Sequence, residues 1–267
     1  MKIAGLLVVA LAGSVASAKI YDTSAAALNT GSFGDRAQGA WTTSFEAPTF
    51  NLGIMDNQNG WPVSGTNLPF ATVSNANPQD GAQHVRTVND PTVPSGTNRF
   101  VFSPSVVTPA NTPDVTSWWV YISAAGGADY DYVGQAPSQG FLSWRVKLNF
   151  QGNIFVLDDE GEGLTFSDTG AQFPIGGWFQ LAVAMDANAN AGLGSVQYYL
   201  NGNLIHTSAT GTVAGTSVEQ FLAVNDNFQN PGEFADLDNI GSTIIPAPGA
   251  LALVGLGGLV AGRRRRA

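Results

Sequence analysis

The densest group of carboxylates in the 267-residue chain is Asp158-Asp159-Glu160-Gly161-Glu162. Asp158, Glu160 and Glu162 are spaced two residues apart, so on a β-strand all three would point to the same side. A retaining glycoside hydrolase needs two carboxyl groups about 5 to 5.5 Å apart, one as acid and one as nucleophile. The glycines within and after the segment leave a second interpretation, in which it is a solvated acidic hairpin turn.

Three other carboxylates have the chemistry of a hard-cation site. Glu46 lies near the first expected strand, and Asp236 and Asp238 lie near the last, two residues apart and therefore on one face. Carboxylate oxygens are the ligands that Ca²⁺ prefers, so these residues are candidate ligands for a structural Ca²⁺ ion. The alternative is that the carboxylates accept hydrogen bonds from loop amides.

A third candidate site combines aromatic rings with acids at Asp129-Tyr130-Asp131-Tyr132, in a glycine-rich stretch. We expect Tyr130 and Tyr132 to be exposed on a loop, where sugar rings stack on them, while Asp129 and Asp131 accept hydrogen bonds from hydroxyl groups. Packing of the tyrosines across the loop is the alternative. Trp118 and Trp119 cannot both face the core of a regular strand, so one of them must point outward.

Composition excludes several classes of site and partner. The chain has no Cys, which excludes disulfides, thiolate zinc sites, iron–sulfur clusters and a Cys nucleophile. Its two histidines, His84 and His206, fall in separate predicted strands without metal-ligand spacing. A net charge of −9 argues against nucleic acid as a partner, because phosphate binding needs a basic face.

The elements that must position these side chains are predicted to be strands. Short β-branched and aromatic runs recur between Gly, Pro, Asn and Asp, and no long segment has helical periodicity. We predict eleven strands, among them residues 84–88, 178–186 and 195–200, and Asn201-Gly202 is typical of a type I′ hairpin turn. The sequence therefore predicts a single all-β domain over residues 19–245, an antiparallel β-sandwich.

Two stretches resemble the LamG or concanavalin A-like jelly roll. They are the Trp-led strand from Gly177 to Asp186 and the following Gly194–Gly202 strand, which ends in Tyr-Leu-Asn-Gly. The resemblance covers most of residues 44–241 and implies a jelly-roll fold and carbohydrate binding. Laminarinase-like members carry a Glu-x-Asp-x-Glu motif similar to the Asp158, Glu160 and Glu162 spacing, which implies a glycoside hydrolase or lyase as the alternative function.

The first 18 residues are predicted to be a secretory signal peptide. Lys2 precedes an apolar run, and Ala16 and Ala18 are small residues at positions −3 and −1 of a cleavage site before Lys19. We therefore expect signal peptidase to act on the chain and the remainder to be exported.

Residues 246–267 have the layout of a sorting signal. Pro246-Ala247-Pro248 precedes an apolar run of 13 residues, which as a helix would rise about 20 Å against a hydrocarbon core of about 30 Å. Four arginines follow, namely Arg263, Arg264, Arg265 and Arg266. This end resembles the PEP-CTERM signal, which implies a short transmembrane helix and recognition by an exosortase-type membrane protease. Here Ala247 stands where that signal has Glu.

Removal of both ends leaves 6 Lys+Arg against 20 Asp+Glu, a net charge of −14. Such a chain repels polyanions at low salt, whereas neutral glycans and divalent cations are compatible with it. We expect a non-catalytic protein of the cell surface or extracellular matrix, held at the membrane before processing. Its sandwich either binds a neutral glycan or exopolysaccharide or has a purely structural role.

Overall fold

A computed structural model of the chain describes residues 41–64, 70–88, 97–124, 128–159, 163–208, 215–227 and 233–244. Nearly all of these residues are in antiparallel strands or in the turns between them. Within the described ranges, helical structure is confined to a 3₁₀ turn at Pro137–Gln139 and the single-turn helix α1, Ala189–Gly192. The prediction of an antiparallel β-sandwich is confirmed.

Sixteen strands occur in the described residues. In chain order they are β1 (Trp41–Thr43), β2 (Gly53–Ile54), β3 (Val63–Ser64), β4 (Ala71–Ser74), β5 (His84–Val88), β6 (Thr97–Phe102), β7 (Asp114–Ile122), β8 (Asp129–Ala136), β9 (Phe141–Leu148), β10 (Asn153–Asp159), β11 (Leu164–Gln172), β12 (Trp178–Asp186), β13 (Ser195–Leu200), β14 (Asn203–Thr207), β15 (Gln220–Asn227) and β16 (Phe234–Ile244).

These strands form two sheets. The nine-stranded sheet has the order β14-β13-β12-β7-β16-β5-β4-β2, with β1 also paired to β16. The seven-stranded sheet has the order β11-β10-β9-β8-β15-β6-β3. Strands that follow one another in the chain repeatedly lie in different sheets, as in a jelly roll.

Strands β5, β12 and β13 have the predicted bounds. The turn between β13 and β14 is also as predicted, since Asn201 and Gly202 have φ of 49° and 78°, the positive values that a type I′ turn requires. Two long strands, β8 and β11, are absent from the prediction. Glycines and acidic residues in both segments made them resemble loops.

The core lies between the sheets and is rich in aromatic rings. Trp118 of β7 stacks on Trp144 of β9, with ring centroids 5.3 Å apart and planes 4° from parallel. Gly134 of β8 makes this arrangement possible, because a Cβ there would lie 2.3 Å from the Trp144 ring. Trp118 is fully buried, whereas Trp119 is partly exposed on the other face of β7, as the sequence predicts.

The predictions for the two ends of the chain concern residues outside the described ranges. These are the signal peptide with Ala16 and Ala18, and the sorting signal with Pro246, Pro248 and Arg263–Arg266. Among the residues that the structure does describe, none forms a helix of the length and apolar character that crossing a membrane requires.

Candidate functional site

The Asp129–Tyr132 segment is a central strand of the seven-stranded sheet and not a loop. Tyr130 and Tyr132 point into the core and are each 2% exposed. Tyr132 packs against Trp118, with ring centroids 5.4 Å apart. Burial raises the pKa of the Tyr132 hydroxyl well above its ordinary value. The expectation that these tyrosines are exposed for a ligand is therefore wrong, because strand alternation turns both rings inward.

Asp129 and Asp131 lie on the opposite side of β8, the outer face of the seven-stranded sheet, beside two cations of β9. Lys147 Nζ lies 2.5 Å from Asp129 Oδ2, and Arg145 donates to Asp131 Oδ2 through Nε, at 3.1 Å, and Nη2. These four side chains are called the charged strip. They hold two of the six basic residues of positions 19–245.

Asp131 is the more buried of the two carboxyl groups in the charged strip. Its side chain is 7% exposed, and Oδ1 has no hydrogen-bond partner among the described residues. Burial raises the pKa of Asp131, and this effect exceeds the lowering by Arg145 and Lys147. A buried carboxylate oxygen without a hydrogen-bond partner among the described residues thus lies beside two partly exposed cations.

Aromatic and apolar side chains flank the charged strip. The ring of Phe166 on β11 is 38% exposed, and its centre lies 5.1 Å from the Arg145 guanidinium carbon and 5.4 Å from Lys147 Nζ. On the other side of the strip is a second apolar cluster, separate from the main core. Its members are Phe100, Phe102, Val133, Leu142, Leu222 and Val224.

This arrangement combines charged hydrogen-bonding groups with an exposed aromatic ring. Planar charged groups form hydrogen bonds with sugar hydroxyls, and an exposed ring stacks on the apolar face of a pyranose. Arg145, Lys147 and Phe166 were not among the predicted site residues. The signal was present in Trp144-Arg-Val-Lys-Leu148, whose apolar residues alternate with the two cations.

Asp158 points between the sheets at their edges and not onto the open outer face. It is 1% exposed, and it accepts hydrogen bonds from His206 Nε2 at 2.8 Å and Ser208 Oγ at 2.5 Å. Since β10 and β14 belong to different sheets, this contact joins the two sheets. Asp158 is therefore not the solvated residue of the acidic-turn interpretation. Glu160 and Glu162 lie outside the described residues.

The three predicted metal ligands are divided between two environments. Glu46 Oε1 accepts the amide hydrogens of Ala82 and Gln83, and Asp238 Oδ2 accepts that of Gln79, so both carboxylates contact the 79–83 loop. Asp236 is instead paired with Arg86, at 2.6 Å from Nε.

No group of three or more His, Asp or Glu side chains in the described part of the chain is arranged to hold a metal ion. Burial, with a smaller contribution from the charge of Glu46, raises the pKa of Asp238 to about 7. Calcium binding by Glu46 and Asp238 stays a prediction, and Asp236 does not share their environment.

No sequence-family model matches this chain, and no curated protein sequence matches it. Its structure is similar to that of the endo-β-1,4-glucuronan lyase of the fungus Trichoderma reesei, with a TM-score of 0.52 and 12% identity over 77% of this chain and 95% of that one. It is also similar to an alginate lyase solved with an alginate trisaccharide (TM-score 0.50, 13% identity, 79% of this chain and 100% of that one). A cellulose-induced protein is a further structural neighbour, with a TM-score of 0.48 and 16% identity over 76% of this chain and 96% of that one. At these identities the likeness shows the fold, an antiparallel β-sandwich that this chain shares with two polysaccharide lyases.

Proposed function

We propose that this protein is exported and binds polysaccharide on the outer face of its seven-stranded sheet. The observation that carries the proposal is the charged strip beside Phe166. An acidic chain places two of its few cations next to each other on one open face, with an exposed ring above them. A role at the cell surface or in an extracellular matrix agrees with the predicted signal peptide and sorting signal.

Two chemical classes of polysaccharide fit the charged strip. A neutral exopolysaccharide would exchange hydroxyl hydrogen bonds with the paired charges, and its binding would change little with salt. A polyuronate would place its carboxylates against Arg145 and Lys147, and its binding would weaken as salt screens the charges. Salt dependence therefore identifies the class.

A second candidate function is a polysaccharide lyase, favoured by Asp131 as well as by the shared fold. Elimination from a uronate needs a cation that neutralises the carboxylate, a base that takes the C5 proton, and a proton for the departing C4 oxygen. Arg145 and Lys147 supply the cations. Asp131, whose pKa is raised, is the candidate base, and once it has taken the C5 proton it is also the acid that gives a proton to the departing C4 oxygen.

Affinity electrophoresis of the full-length protein in gels containing alginate, glucuronan or a neutral β-glucan tests binding. Phe166→Ala and Arg145→Met should each weaken binding about tenfold, because each removes a contact worth about 1 to 2 kcal/mol. Asp168→Asn, an exposed change on the same strand as Phe166, is the matched control. Binding that is the same in all four proteins would refute the proposed site.

The same polysaccharides test the lyase. Its product carries an unsaturated uronate end that absorbs ultraviolet light. If the protein is a lyase, Asp131→Asn should abolish product formation and leave binding measurable. Glu160→Gln tests the alternative in which the cluster of Asp158, Glu160 and Glu162 is catalytic. This variant should stop turnover if that cluster is catalytic, and it should leave turnover unchanged if Asp131 is the base. Binding without product in the wild type would support the non-catalytic function.

A further inference from the structure

The outer face of the nine-stranded sheet carries four aromatic side chains at neighbouring positions. Trp119 and Tyr121 are two residues apart on β7, Trp178 of β12 is the cross-strand partner of Tyr121, and Phe234 lies on β16. All four are partly exposed. The Tyr121 ring centroid lies 5.8 Å from that of Trp178 and 6.1 Å from that of Phe234. These four residues are called the aromatic row.

A buried polar layer lies next to the aromatic row. Arg86 places its guanidinium 3.8 Å from the centre of the Phe234 ring. The same guanidinium donates to both oxygens of Asp236, through Nε at 2.6 Å and Nη2 at 2.7 Å. Asp236 is fully buried, as is His84, whose ring lies edge-on to Trp178 at 6.1 Å. Arg86 is therefore paired, and the partly exposed side chains of the row are aromatic.

The aromatic row groups four partly exposed rings on one sheet face, outside the main core. Each ring leaves apolar surface in water, at a cost of about 25 cal/mol per Å². Partly exposed rings on one face pack well against the C–H faces of pyranose units. Arg86 is the one Lys or Arg in the described strands of this sheet and is paired with Asp236, and the chain has a net charge of −9, so this face favours an uncharged ligand over a polyanion.

We propose that the aromatic row is a second glycan-binding surface, specific for a neutral β-linked glucan. A β-1,4-linked glucan is the best match, because its equatorial hydroxyls leave both faces of every sugar ring apolar. The row and the charged strip lie on opposite outer faces of the sandwich. Cross-linking of two polysaccharide chains by one protein molecule would rest in addition on the function proposed for the charged strip. The row does not depend on the function proposed for the charged strip.

Depletion of the full-length protein from solution by microcrystalline cellulose tests the proposal. The double variant Trp119→Ala/Tyr121→Ala should bind about tenfold more weakly, because it removes two stacking rings. Leu204→Ala is the matched control, since it removes an exposed apolar side chain, 53% exposed, from the edge strand β14 of the same sheet. Failure of the wild type to bind cellulose, or equal binding by the double variant, overturns the proposal.

A single variant guards against misfolding of the double variant. Trp119→Leu keeps an apolar side chain on β7, so its melting temperature should stay close to that of the wild type while cellulose binding falls several-fold. A normal melting temperature with undiminished binding also overturns the proposal. Trp119→Leu should bind alginate as the wild type does, which distinguishes failure of the aromatic row from failure of the charged strip.

Discussion

Asp114 at the start of β7 should make the protein less stable as pH rises through the neutral range. Its carboxyl group is 2% exposed and accepts hydrogen bonds from Thr116 Oγ1, at 2.7 Å, and from Ser242 Oγ. Burial raises the pKa of Asp114 to about 7 from an ordinary value of 3.8, against the opposing effect of these two hydroxyls. The folded state therefore holds this proton up to higher pH than the unfolded state does.

The sign and size of the effect follow from this difference. Between about pH 4 and pH 7 the folded protein binds more protons at Asp114 than the unfolded protein, so the free energy of unfolding falls as pH rises. A difference of about three pKa units corresponds to about 4 kcal/mol over the whole window. Between about pH 5 and pH 8 the expected loss from this one residue is about 3 kcal/mol.

Asp114→Asn removes the buried charge at the site. One hydroxyl must then turn to accept from the new amide, at a cost of about 1 kcal/mol that does not depend on pH. The variant should therefore gain stability relative to the wild type by about 3 kcal/mol on going from about pH 5 to pH 8. Urea denaturation at several pH values measures this difference.

The matched control is Asp168→Asn on β11, where the side chain is exposed and its carboxylate accepts only a local turn amide among the described residues. This variant should show the pH dependence of the wild type. Asp238 and Asp131, whose pKa values are also raised, remain in both proteins and cancel from the comparison. The reasoning is refuted if the free energy of unfolding changes with pH in the same way in Asp114→Asn and in the wild type. That result would mean that the Asp114 charge is solvated in the folded protein.

Two further predictions concern the core and the predicted calcium site. Gly134→Ala should destabilise the fold by about 1 to 3 kcal/mol in urea, because its Cβ would overlap the Trp144 ring. Gly177→Ala, where the added Cβ meets nothing within 4 Å, should be close to neutral, and equal costs would contradict the packing argument. If Glu46 and Asp238 bind Ca²⁺, the ion should raise Tm in the wild type and not in Asp238→Asn. The shift should be larger at about pH 8 than at about pH 6, since protons compete for a carboxyl group whose pKa is raised to about 7. If Ca²⁺ does not raise the Tm of the wild type, the prediction of a calcium site is wrong.

Much of the fold could be predicted from local patterns. Strands β5, β12 and β13 have clear β-branched or alternating sequences, and Asn201-Gly202 has the residues that a type I′ turn needs. The outward direction of either Trp118 or Trp119 also follows from alternation alone. Which of the two is buried depends on Trp144 and Gly134, which are distant in the sequence but face Trp118 across the core.

The candidate site was only partly predictable. The sequence identified Asp129 and Asp131 as candidate ligand-binding residues. The predicted site also included Tyr130 and Tyr132 as exposed rings. Glycine-rich flanks predicted a loop there, but pairing with β9 and β15 makes the segment a central strand and turns both rings into the core.

Local sequence determined the residue types, the turns and the alternation of this chain, because these depend on backbone sterics and on neighbours one or two residues away. Tertiary structure alone decided the rest. It brought Arg145 and Lys147 beside Asp131 and Asp129, placed Asp158 between the sheets with His206 and Ser208, and paired Asp236 with Arg86. These contacts join strands that are 14 to 150 residues apart in the chain, so sheet order and register set them, and no local pattern carries that information.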